Sequence, residues 1–145
     1  MMPTISSETL HASCVAIGER AVLIEGPSGS GKSDLALRLI DRGAHLISDD
    51  YTMLLRRGNQ VFANPPATIA GKMEVRGLGI LPIPHVDNLP VALMISLTND
   101  HSRMPFERTT RSIAGVEVPV VALDSFPASA PIKVEMALKQ LVTGR

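Results

Sequence analysis

Residues 21–50 read AVLIEGPSGSGKSDLALRLIDRGAHLISDD, and the rest of the chain takes its meaning from them. Ala21-Val22-Leu23-Ile24 is an apolar, β-branched run of the kind that forms a buried strand. Gly26-Pro27-Ser28-Gly29-Ser30-Gly31-Lys32-Ser33 follows and fits G-x-x-x-x-G-K-[ST], the phosphate-binding loop. Asp34 to Arg42 then carries Leu35, Ala36, Leu39 and Ile40 on one face at helical spacing, with Gly43 where a helix should stop. A second apolar run, Ala44 to Ile47, leads into two adjacent carboxylates, Asp49 and Asp50. Strand, anion cradle, helix, strand and acid pair is the order in which a phosphoryl-transfer site is assembled.

The loop has a physical reason to hold phosphate. Glycines at 26, 29 and 31 allow positive φ values and remove side chains, so successive N–H groups can converge on one anion. The helix that follows adds its unpaired N-terminal amides and the positive end of its dipole. Lys32 supplies a cation for the β- and γ-phosphates, and the Ser33 hydroxyl is a ligand for Mg²⁺. The bland alternative is a Gly/Ser-rich turn with an exposed lysine, which the strand before and the helix after the motif disfavour.

Composition narrows the function classes. The 145 residues suit one domain with a real core. Fourteen basic and fourteen acidic residues, without a basic block, argue against a nucleic-acid partner held by charge. Scarce aromatics and the absence of Trp disfavour a stacking platform for single strands. No apolar run approaches the roughly 20 residues that cross a bilayer, so no membrane partner is expected. Cys14, the only cysteine, reads as a small buried hydrophobe and fits a reducing cytoplasm.

Elsewhere the pattern is mostly β. Residues 1–9 are polar and expected to fray. Leu10 to Ile17 reads as a strand, turned back by Gly18-Glu19-Arg20 into the strand at Ala21; this sets His11 beside the loop strand but about a hairpin's length from Lys32. Tyr51 to Arg56 and Gln60 to Ala63 flank a hairpin turn at Arg57-Gly58-Asn59. In Ala70 to Pro84, glycines surround Glu74 and Arg76, which either approach a polyphosphate and its metal or form an ordinary surface ion pair. Val91 to Leu97 is the most apolar strand, and Asp100 just beyond it competes with Asp49-Asp50 as the metal-side acid. Residues 101–111, with Arg103, Arg108 and Arg111, are a lid or a solvated loop. Val116 to Leu123 is a last strand and Pro131 to Leu141 a closing helix. Neighbouring residues of an extended strand face opposite ways, so only one of Asp49 and Asp50 can face a γ-phosphate. That one is a candidate acceptor for the proton of an attacking hydroxyl. The rival reading is a pair of capping acids.

Leu10-His11, the loop GPSGSGKS, the run from Arg42 to Asp50 and Glu74-Val75-Arg76-Gly77-Leu78-Gly79-Ile80 together resemble the catalytic domain of the HPr kinase/phosphorylase family over roughly residues 10–123. The resemblance implies a P-loop kinase domain of the HPr kinase/phosphoenolpyruvate carboxykinase type: α/β, with a mixed sheet, flanking helices and the phosphate loop at the sheet's edge. It implies ATP and Mg²⁺, and transfer to a serine of the phosphocarrier HPr. It further implies a cytoplasmic homo-oligomer, a hexamer in the family, and a short form without the family's N-terminal domain. By position, His11 assists proton transfer, Lys32 binds phosphate, and Ser33 with Glu74 holds the metal. Asp50 takes the serine proton with Asp49 in support, Arg76 serves both reaction directions, and Arg108 matches a catalytic arginine. Where the family has an R-P-G-R-N stretch tied to dephosphorylation, this chain reads Phe126-Pro127-Ala128-Ser129-Ala130, so kinase activity without strong phosphorylase activity is expected. A small-metabolite kinase and a non-catalytic ATP-binding regulatory module are the rival functions.

Overall fold

The computed structural model of the chain describes residues 7–98 and 109–143. In chain order the strands are β1 (Ser7–Leu10), β2 (Ser13–Ile17), β3 (Arg20–Glu25), β4 (His45–Ser48), β5 (Thr52–Arg57), β6 (Gln60–Asn64), β7 (Lys72–Val75), β8 (Gly79–Pro82), β9 (Leu89–Leu97), β10 (Thr109–Ile113) and β11 (Val116–Leu123). The helices are α1 (Lys32–Asp41) and α2 (Ala130–Thr143). The mixed sheet with flanking helices is as expected.

β9 joins two parts of the sheet. Its first residues, Leu89 and Pro90, pair antiparallel with β6, which continues through β5 to β1. Its later residues run parallel to β3 on one flank and to β11 on another, and β3 continues antiparallel through β2 to β4. β3 is therefore an interior strand. The phosphate loop lies on the rim of the sheet where strands end, not on an edge strand. β7 and β8 form a separate two-stranded hairpin.

The apolar runs lack polar alternation because both sheet faces are covered. Along β3, Ala21 and Leu23 join one core with Leu54, Val61 and Ala63 of the β5–β6 hairpin. Val22 and Ile24 enter a second core with Leu35, Ala36 and Leu39 of α1 and Val134 and Leu138 of α2. The same period of two divides Met94 from Leu93 and Ile95 on β9. Cys14 is fully buried in the first core, where desolvation pushes its thiol pKa far above the ordinary value.

Gly43 ends α1 as expected. It stands at φ 111°, and the amides of Gly43 and Ala44 donate back to Ile40 and Leu39, the paired bonds of a Schellman cap. Two expectations need correction at the N-terminal side. The strand expected over Leu10 to Ile17 breaks at His11–Ala12, because Leu10 pairs with Thr52 of β5 whereas Ser13 pairs with Ile24 of β3. Ser7 to Thr9, expected to fray, are held in β1 by the same antiparallel ladder to β5. That break positions the site.

Candidate active site

The loop between β3 and α1 does what its glycines allow, though not all for one reason. Gly29 and Gly31 stand at φ 80° and 95°, where a side chain is strained. Gly26 does not; a Cβ there would meet Ser30 Oγ at 2.5 Å and Leu97 Cβ at 3.0 Å, so it is required by close packing. Gly31 is the N-cap of α1 and brings no side chain to its first amides. Those N–H groups and the helix dipole face the cleft as an anion site. Lys32 is nearly buried and its ammonium donates to the carbonyl oxygens of Gly26 at 2.9 Å and Pro27 at 3.5 Å.

The two aspartates at the end of β4 have different surroundings. Asp49 is 6% exposed. Its Oδ1 accepts from Ser33 Oγ at 2.6 Å and Ser13 Oγ at 3.1 Å, and its Oδ2 accepts from the backbone N–H of Glu74 at 3.0 Å. It thereby ties α1, β2 and β7 together beside the loop. Asp50 sits at φ 73° between Asp49 and Tyr51, whose carbonyl and amide join at 2.8 Å in a three-residue γ-turn. Its amide donates to Ser13 Oγ at 3.1 Å, and Ser48 Oγ donates to the Tyr51 carbonyl, so neighbours hold the strained turn in place. The Asp50 side chain is 59% exposed and reaches the cleft, where Oδ1 lies 2.8 Å from His11 Nε2.

His11 thus lines the same cleft as the phosphate loop. The antiparallel register that sets Ser13 opposite Ile24 brings the start of β2 to the end of β3 where the loop begins. Its ring stacks on Tyr51 with centroids 4.7 Å apart. Along β7, Met73 points into the core while Glu74, Val75 and, just after the strand, Arg76 line the cleft. No ion pair joins Glu74 and Arg76 among the described residues, so the surface-pair reading does not apply.

One cleft of about 610 Å³ therefore brings together Lys32, Ser33, Asp50, His11, Glu74 and Arg76. Arg108, Asp100 and Arg103 lie outside the described residues. Arg111, grouped with them in the sequence, belongs to β10 instead and pairs with Glu25. Four further residues shape the site without having been singled out. Ser13 bridges the two aspartates, and Tyr51 backs His11. Ser125 is buried and donates to the Ser30 carbonyl at 2.5 Å, and Arg38 donates to the carbonyls of Ser125 and Pro127.

The donor set fits Mg²⁺. Ser33 Oγ spends its proton on Asp49, which leaves its lone pairs directed elsewhere, and Glu74 adds a carboxylate on the same cleft. No cluster of three or more His, Cys, Asp or Glu is placed to hold a metal among the described residues. Ser33 and Glu74 are the residues that would hold a magnesium ion here, and the ion would supply positive charge beside the bound phosphates.

A loop of this geometry at the end of an interior strand, with a helix amide cradle and strand-end acids, marks a phosphate-loop α/β domain. The family model for the HPr Serine kinase C-terminal domain matches residues 4–142, and the chain belongs to that family. The chain is 35% identical over 131 residues to the HPr kinase/phosphorylase of Chlorobium phaeobacteroides, covering 81% of this chain and 41% of the relative. It is 31% identical to that of Lactobacillus delbrueckii subsp. bulgaricus, covering 92% and 44%. It spans about two fifths of the length of these relatives. The solved structure of the Hpr(Ser) kinase/phosphatase from Coxiella burnetii superposes with a TM-score of 0.83 at 30% identity, covering 94% of this chain and 92% of the other.

Proposed function

We propose that this domain transfers the γ-phosphoryl group of ATP to a serine hydroxyl of an HPr-type phosphocarrier protein. The observation that carries the reading is the Asp50–His11 pair, which opens on the same cleft as the phosphate loop. The names of the relatives supply the acceptor.

In this reading the loop amides and Lys32 hold the β- and γ-phosphates in line with the acceptor. Asp50 accepts the serine proton as the serine oxygen bonds to the γ-phosphorus and the bond to the β-phosphate oxygen breaks, leaving ADP. His11 orients that carboxylate through its 2.8 Å contact. Asp49 does not meet the acceptor; it positions Ser33 and the β7 backbone. Ser33 and Glu74 would hold Mg²⁺, which neutralises charge on the phosphate oxygens when bound. Arg76 adds a cation at the cleft wall. The domain works in the cytoplasm as a homo-oligomer, and exposed Leu78 and Ile80 on the β7–β8 hairpin are apolar surface available for assembly or acceptor docking.

Labelled ATP offered with purified HPr, and separately with small hydroxyl metabolites, tests the reading. Label on the HPr serine supports it. Label only on a metabolite, or ATP binding without transfer, replaces it with a small-molecule kinase or a regulatory module.

A further inference from the structure

Beside the phosphate cleft lies a second cavity of about 310 Å³, between the outer side of loop residues 27–30, Leu97, Thr98 and residues 124–126. The two cavities share Ser28, Gly29 and Phe126. Phe126 is 69% exposed, an uncommon state for so large an apolar ring. Yet the backbone that presents it is fixed. Its amide donates to Asp124 Oδ1 at 2.9 Å, buried Ser125 is bonded to the Ser30 carbonyl, and Arg38 clasps the carbonyls on either side. The ring is thus carried on the phosphate loop itself and faces both cavities.

We infer that Phe126 is the stacking platform for the nucleobase of the bound triphosphate, with the second cavity as the base site. The inference rests on the nucleotide-binding reading above. A nucleotide gripped by its phosphates at the loop amides must lodge its base within reach of that loop. This cavity adjoins it, is walled by apolar Pro27, Leu97 and Phe126, and lies within the size range of small-ligand pockets, roughly 300–1,000 Å³. An aromatic held in place loses little freedom on stacking. The site also gives a role to Phe126, the first residue of the stretch where the chain departs from the pattern it otherwise resembles.

The test compares magnesium complexes of ATP and of inorganic tripolyphosphate, which has no base. Phe126→Ala should weaken ATP roughly five- to 150-fold, the range for loss of one stacked base, and leave tripolyphosphate unchanged. Phe126→Trp introduces the only tryptophan of the chain. Its fluorescence should be quenched by ATP and GTP and not by tripolyphosphate. Equal ATP-to-tripolyphosphate affinity ratios in Phe126→Ala and wild type would overturn the base site while leaving phosphate binding intact. If wild type binds neither compound, the nucleotide reading itself fails and the base site falls with it.

Discussion

The hydroxyl of Ser33 donates to Oδ1 of Asp49 across 2.6 Å, joining the first turn of α1 to the end of β4. Ser33 comes from the phosphate loop, and Asp49 is the buried partner of the residue proposed as the base. Asp49 also takes the Glu74 amide and the Ser13 hydroxyl, and Ser13 in turn receives the Asp50 amide. One carboxylate therefore sets the spacing of the loop, the β7 wall and the Asp50 turn.

Asp49→Asn tests that role. An amide keeps one acceptor but turns an NH₂ toward groups that donate, and a hydrogen bond to a charged group contributes about 1.5–3 kcal/mol. The variant should lose stability of that order in urea unfolding. It should also need more Mg²⁺ for half-maximal ATP binding. Unchanged values for both would show that Asp49 is a bystander.

Asp50 should behave in the opposite way. Its carboxylate is exposed, and asparagine tolerates φ near 73° nearly as well as aspartate does. Asp50→Asn should therefore keep its unfolding midpoint and its ATP affinity, while transfer falls roughly a hundred- to ten-thousandfold. Asp50→Gly relieves the backbone strain and should be no less stable than wild type, though equally inactive. An Asp50→Gly protein that unfolds more readily would argue against stored strain.

Cys14 gives a pH prediction. Burial raises its folded pKa far above the value of about 8.5 for an exposed thiol. Above pH about 8.5 the unfolded chain loses this proton and the folded chain keeps it, so the unfolded state binds fewer protons and stability falls with rising pH. The slope approaches about 1.4 kcal/mol per pH unit for one group. Cys14→Ala should lack it, so the difference in stability between wild type and Cys14→Ala should carry this slope. Alkylating reagents should label the native thiol only on unfolding.

The 126–130 segment bears on the reverse reaction. Without the arginines of the resembled pattern it offers little cationic purchase for inorganic phosphate. Release of pyrophosphate from phospho-HPr with added phosphate should be far slower than phosphorylation under matched conditions. Comparable rates would remove the argument.

Much of this was legible in the chain. The loop, α1 with its glycine stop, the β5–β6 hairpin, β9 and β11 follow from periodicity and turn residues, because each is a local pattern. β1 was not legible: Ser7-Glu8-Thr9 has no apolar signature, and its strand exists through pairing with β5 some forty residues away. The contact between His11 and Asp50 depends on the break at Ala12 and on the register between β2 and β3, neither of which a linear pattern records. Strand alternation says that Asp49 and Asp50 face opposite ways, but the pattern of residues alone does not say which is buried. The structure places Asp49 in the interior and Asp50, at the centre of a γ-turn, in the cleft. Ser125 and Arg38 act through backbone carbonyls, which no residue type reveals.

Phosphoserine formation in HPr with Mg·ATP, followed by intact mass and peptide mapping for wild type and Asp50→Asn side by side, tests the proposed transfer most directly. Wild type should place one phosphate on a single serine, and Asp50→Asn should bind ATP equally well yet leave HPr unmodified over the same period. Equal phosphorylation by the two proteins would refute Asp50 as the proton acceptor, and an unmodified HPr with both would refute the kinase reading.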